Sequence, residues 1–156
     1  MTTPLRARLA AALVPLALVA PLAAFAEASG TTASTAPAAQ SGYAEAKAAV
    51  DAGRYPDALK LLAAVLKAEP RNADALNLMG YSNRKMNRMA EAARWYGAAL
   101  KADPKHLGAL EYQGEMFVEI GDYASARANL NRLAALCGTC NEWSDLRAAL
   151  MAAGQG

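Results

Sequence analysis

Large and small apolar residues recur along this chain at two superimposed periods. Leu76, Met79, Gly80 and Asn83 fall at i, i+3, i+4 and i+7, one face of a helix, and Ala92, Tyr96, Ala99 and Leu100 define a second such face. The spacing predicts two amphipathic helices that fold against each other. The pattern then returns at a longer fixed interval, through Gly53/Asn87/Gly121, Tyr55/Met89/Tyr123, Ala58/Ala92/Ala126 and Leu62/Tyr96/Leu130, with Pro70 and Pro104 answered by Gly138. A period of about 34 residues predicts stacked helix-turn-helix units, each burying its apolar face against the next. Gly80 and Ala92, repeated as Gly114 and Ala126, are expected where helix axes approach closely, because a large side chain there would hold the pair apart.

These residues carry a resemblance. Leu76, Met79, Gly80, Ala92, Tyr96, Ala99 and Pro104 form a large, large, small, small, aromatic, small, proline series, and Leu110, Gly114, Phe117, Gly121, Tyr123, Ala126 and Leu130 repeat it. The series resembles the tetratricopeptide repeat. A first, weaker copy has Gly42 where a large residue is expected and Ala46 and Ala49 in the small and aromatic places. It rejoins the pattern through Gly53, Tyr55, Ala58, Leu62, Leu66 and Pro70. The resemblance spans about residues 41–140 and implies an all-α fold, a right-handed α-solenoid of three repeats at about 41–72, 73–106 and 107–140. It also implies an inner groove that binds a segment of another protein. After the repeats, Trp143, Leu146, Ala149 and Leu150 lie at i, i+3, i+6 and i+7 and predict a capping helix over residues 141–156, with Thr139 and Glu142 spaced as a capping box. Trp143 is expected to be its main buried side chain.

On the first-helix faces, Asn77, Tyr81 and Arg84 recur at i, i+4 and i+7 with Lys85 beside them, and Glu111, Glu115 and Glu119 form an acidic stripe. Carboxylates spaced i, i+4 cost a helix a few tenths of a kcal/mol. A basic partner, or Arg84 and Lys85 across the groove, would relieve that cost. Asn77, Tyr81, Arg84, Lys85, Glu111 and Glu115 are therefore the expected partner-binding residues. Tyr81 and Arg84 are the expected anchors, since aromatic and arginine side chains dominate protein interfaces, and the glutamates would favour a basic segment. The carboxylate clamp known in this family needs Lys and Asn at set places. Lys47 alone fits, while Tyr43, Leu78, Gly108 and Tyr112 do not, so clamp function is not expected.

The ends add a compartment. Arg6 and Arg8 precede an apolar run from Leu9 to Phe25 that ends in Ala24-Phe25-Ala26, an export signal over residues 1–26 with cleavage expected before Glu27. Pro15 and Pro21 interrupt the run, which argues against a retained membrane span. Residues 27–40 are rich in Ala, Ser, Thr and Pro, the composition of a flexible leader. Removing Arg6 and Arg8 from the 16 basic residues leaves 14 against 14 acidic ones, so no nucleic-acid partner held by bulk charge is expected. The expected location is exported and periplasmic.

Both cysteines lie in Cys137-Gly138-Thr139-Cys140. An oxidising compartment makes a structural disulfide the expectation, contributing about 2 kcal/mol across so short a loop. The alternative is thiol-disulfide exchange, because Cys140 at the start of a helix would have its thiol pKa lowered. Haem attachment would need histidine where Asn141 stands. A metal site would need further ligands, and His106, the single histidine, is expected to be a solvated turn residue. Met79, Met86, Met89 and Met116 fall at or beside packing positions and read as core filling. No nucleophile elbow, phosphate loop or metal-binding helix is present. The reading is a non-catalytic adaptor or assembly factor without a cofactor, with a thiol-active protein or redox-regulated chaperone as the alternative.

Overall fold

In a computed structural model the described residues are 35–155, and they form seven helices and no strand: α1 (Thr35–Asp51), α2 (Tyr55–Ala68), α3 (Ala73–Lys85), α4 (Met89–Ala102), α5 (Leu107–Glu119), α6 (Tyr123–Cys137) and α7 (Asn141–Ala152). The expected export signal lies outside them. Helix α1 begins at Thr35, inside the stretch expected to be a flexible leader. Pro37 falls in its first turn, where a missing N–H costs nothing, and the alanines that follow favour helix.

Helix boundaries repeat with the sequence period. Asn72, His106 and Cys140, each one repeat period from the next, are the N-cap residues of α3, α5 and α7. The Asn72 side chain accepts from the Ala75 N–H at 2.9 Å, and His106 Nδ1 accepts from the Ala109 N–H at 3.1 Å. His106 is thus not the solvated turn residue expected from sequence. Its other nitrogen, Nε2, stands 3.1 Å from Asp74 Oδ1 and ties α5 to α3. Cys140 caps nothing with its side chain, and the Thr139/Glu142 capping box does not form, because Thr139 lies one residue before the cap. Within each repeat the turn is made by a residue in left-handed conformation: Gly53 at φ +70°, Asn87 at +59° and Gly121 at +80°. Asparagine tolerates that region better than most side chains.

Successive helices pair as α1/α2, α3/α4 and α5/α6, and each pair stacks on the next, with α7 packed on α5 and α6. The core is a row of small clusters rather than one centre. Ala46, Ala58, Leu62 and Ala75 join the first two units, Ala92, Tyr96 and Met116 join α4 to α5, and Leu110, Leu133 and Leu146 join α5, α6 and α7. Gly80 is required by contact: a Cβ there would stand 2.6 Å from the ring of Tyr96, itself wholly buried. Gly114 meets a different neighbour first, since a Cβ on it would collide with Leu146 of α7. The buried side chains of α7 are accordingly Leu146 and Leu150, whereas Trp143 is half-buried at the edge, with the Arg147 guanidinium 5.2 Å from its ring centroid. Asn129 secures α6 to α5 by donating to the Leu110 carbonyl at 3.1 Å and to Gln113 Oε1 at 3.0 Å. No described helix is long and apolar enough to cross a membrane.

Candidate functional site

The first helices of the units, α1, α3, α5 and α7, present one continuous face. Two open depressions lie along it, of about 370 Å³ between Lys47, Tyr55 and Leu78, and about 410 Å³ between Lys85, Glu115, Val118 and Ala149. Tyr81 and Tyr112 line both, so the depressions are two halves of one groove. Its spine is a row of tyrosines. The Tyr55 and Tyr81 ring centroids are 6.3 Å apart at 63°, and those of Tyr81 and Tyr112 are 4.9 Å apart at 53°, the tilted geometry that aromatic quadrupoles favour.

Arg84 stands behind this row. Its side chain is only 5 % exposed and its guanidinium donates to Glu115 at 2.6 Å and to Glu119 at 2.7 Å. It also lies 5.5 Å from the Tyr81 ring centroid and 5.9 Å from that of Tyr112. Arginine's planar fork suits both contacts at once. The expected relief of the acidic stripe thus comes from within the chain. Arg84 acts as a strut between α3 and α5, which leaves little of it for the anchoring role expected from sequence. Lys85 is exposed, its ammonium 5.5 Å from the Tyr81 ring centroid.

The remaining expected residues are placed unequally. Asn77 is buried, and its Oδ1 has no hydrogen-bond donor among the described residues. Glu111 is buried as well. Burial, reinforced by the charges of Glu115, Asp145 and Glu142, pushes its carboxyl up to about 8, so it is protonated at neutral pH. Tyr112 is pushed up to about 12 by burial and then by Glu111, and keeps its proton at any ordinary pH. Beneath the groove the Tyr96 hydroxyl and Arg84 Nε form no well-made hydrogen bond, although each perturbs the other's ionisation, with burial raising the tyrosine further than Arg84 lowers it.

Tyr55, Tyr112, Val118 and Ala149 are groove residues that sequence reasoning did not select. Tyr112 occupies the repeat place of Leu78, and Tyr81 that of Glu115, so no alignment of the repeats shows the tyrosines as a row. Cys137 and Cys140 lie away from the groove with their sulfurs at bonding distance and their Cα atoms 5.6 Å apart. Among the described residues no group of three or more His, Cys, Asp or Glu side chains could hold a metal ion.

A sequence profile described as tetratricopeptide repeat matches residues 43–106 and again 78–139, together well over half the chain. The chain belongs to the tetratricopeptide repeat family. Solved structures of the same shape include the type III secretion translocator chaperone SycD of Yersinia enterocolitica, at a TM-score of 0.67 and 19% identity over 76% of this chain and 92% of that one. The Sgt2 repeat domain from Aspergillus fumigatus matches at 0.67 and 21% identity, over 76% of this chain and 78% of that one. The first such domain of Spaghetti (RPAP3), solved with the HSP90 peptide SRMEEVD, matches at 0.66 and 16% identity over 74% and 93%. At these identities the likeness is one of fold. No curated protein matches the chain in sequence.

Proposed function

We propose that this protein is an exported, non-catalytic adaptor or assembly factor that holds an extended or helical segment of another protein in the groove across α1, α3, α5 and α7. The observation that carries the reading is the open tyrosine row, Tyr55-Tyr81-Tyr112, joining two depressions into one channel. Large, rigid aromatic rings supply contact area at little entropic cost and dominate interface energetics. Structures of the same shape support it by analogy: SycD has been solved with a peptide of the translocator YopD, and PcrH with the chaperone-binding region of PopD. The exposed polar group beside the row, Lys85, would orient the segment.

The test is recovery of partners from the native host by affinity capture, followed by affinities for Tyr81→Ala, Tyr112→Ala and, on an exposed part of α4, Lys101→Ala. Each tyrosine variant should lose tenfold or more, corresponding to about 1.4 kcal/mol or more, and Lys101→Ala should bind like wild type. Unchanged affinity in both tyrosine variants refutes groove binding. Export is tested separately by the intact mass of the protein from its host, which should begin at Glu27.

A second reading draws on Cys140, which stands at the N-cap of α7, the position where a helix stabilises a thiolate. A reduction potential far above about −300 mV would favour thiol exchange over a structural bridge.

A further inference from the structure

At the α5–α7 end of the groove the described structure collects acceptors without donors. Glu111 is 8% exposed, and no hydrogen bond or ion pair holds its carboxyl. The charged groups that face it are Glu115 from its own helix, Asp145 and Glu142 from α7, and Arg84 from α3. Arg84, the one cation among them, is committed at 2.6 and 2.7 Å to Glu115 and Glu119. From α3, the Asn77 amide packs against Gly108, one helical turn before Glu111, and offers the carboxyl no hydrogen bond. Glu111 and Asp145 occupy the same repeat place on α5 and α7, one period apart, each one helical turn before a residue that lines the depression, Glu115 on α5 and Ala149 on α7.

A largely buried carboxyl set among like charges and without a hydrogen-bond donor is costly, and the missing partner has a definable chemistry. The acids do not converge closely enough to hold a metal ion. What they match is a cation with several spread donors on a long apolar stem. The stem has a path, since Tyr112, Val118 and Ala149 line the adjoining depression. The Tyr81 and Tyr112 rings, which line that depression, add attraction for a cation.

We propose that this end of the groove is a subsite for one lysine or arginine side chain of the bound segment, with Glu111 as its buried counter-ion and Asp145 and Glu142 as the outer acidic rim. The inference rests on the reading that the groove takes a protein segment. Receipt of the cation expels the Glu111 proton to solvent: a carboxylic acid and an ammonium or guanidinium become an ion pair plus one free proton. Affinity for a basic segment therefore rises with pH, by up to about tenfold per pH unit, until Glu111 is already ionised in the free protein near pH 8.

The probe is a set of short peptide pools, random except for one position fixed as lysine, arginine, norleucine or glutamate, titrated against wild type, Glu111→Gln, Asp145→Asn and Tyr81→Ala. Norleucine keeps the lysine stem and removes its charge. Lysine and arginine pools should bind wild type at least tenfold better than norleucine or glutamate pools. Calorimetry in buffers of different ionisation heat should show release of up to one proton. The preference and the proton release should vanish in Glu111→Gln, and the preference should shrink in Asp145→Asn. If the pools bind and Tyr81→Ala weakens them, but charge makes no difference or Glu111→Gln keeps the preference, the subsite is refuted and the groove stands. If no pool binds, or Tyr81→Ala changes nothing, the groove reading falls and the subsite with it.

Discussion

Burial and the charges of Glu115, Asp145 and Glu142 push the Glu111 carboxyl up to about 8, so the folded chain keeps a proton that the unfolded chain releases near the ordinary 4.5. Between those values the native state binds more protons, and stability falls as pH rises. The stabilisation is complete below about pH 4.5 and lost as the pH climbs through about 8. Glutamine has the same shape and cannot ionise, so Glu111→Gln should remove the loss. Moving from 4.5 to about 8, at about 1.4 kcal/mol per pH unit, sets a ceiling of about 5 kcal/mol on the difference. Reorientation of Arg84 toward an ionised Glu111, at the expense of Glu115 or Glu119, reduces it. Urea unfolding followed by circular dichroism at about pH 5, 6, 7 and 8 should show two proteins of similar stability at the acid end, with the variant ahead by more than about 1 kcal/mol at the alkaline end. Parallel curves for wild type and variant would refute the account of Glu111 as a buried, unpaired acid. The comparison needs no binding partner, and it tests the burial and charge environment of Glu111 on which the cation subsite depends.

Gly80→Ala forces a Cβ to within 2.6 Å of the Tyr96 ring and should cost about 1–3 kcal/mol by overpacking, with Gly80→Leu worse and exposed Lys101→Ala near wild type in thermal melts. Gly121→Ala, at φ +80°, should lose about 1 kcal/mol, whereas Asn87→Gly in the equivalent turn should gain some tenths. His106→Ala removes the cap of α5 and its link to Asp74 and should lose about 1 kcal/mol, most of it restored by His106→Asn in denaturant titrations. Replacing both Cys137 and Cys140 by serine should lower stability by about 2 kcal/mol. Limited proteolysis should then cut first around α7 and leave the earlier units intact, because repeat arrays are held by near neighbours.

The repeat architecture was legible in the sequence because it is local. Helical faces at i, i+3 and i+4, a left-handed turn at Gly53, Asn87 and Gly121, and a small residue opposite Tyr96 each depend on a few neighbouring positions, and repetition at a fixed period made them visible together. The cap at His106 was legible in principle too, one period beyond Asn72. What only the tertiary structure decided is how successive units approach one another. Arg84 reaches Glu115 and Glu119 across 31 and 35 residues of sequence, which turns an expected anchor into a strut. The tyrosines form a row from unlike repeat places, and the row exists only because the stacking angle brings Tyr112 beside Tyr81. Glu111, which in sequence is one member of an acidic stripe, is buried where α7 packs on α5 with Leu146 against Gly114. Whether a carboxyl is solvated and charged or buried and neutral is set by such approaches, since desolvation comes from burial in the fold and two of the neighbouring charges, Asp145 and Glu142, come from a helix in the next unit of the array.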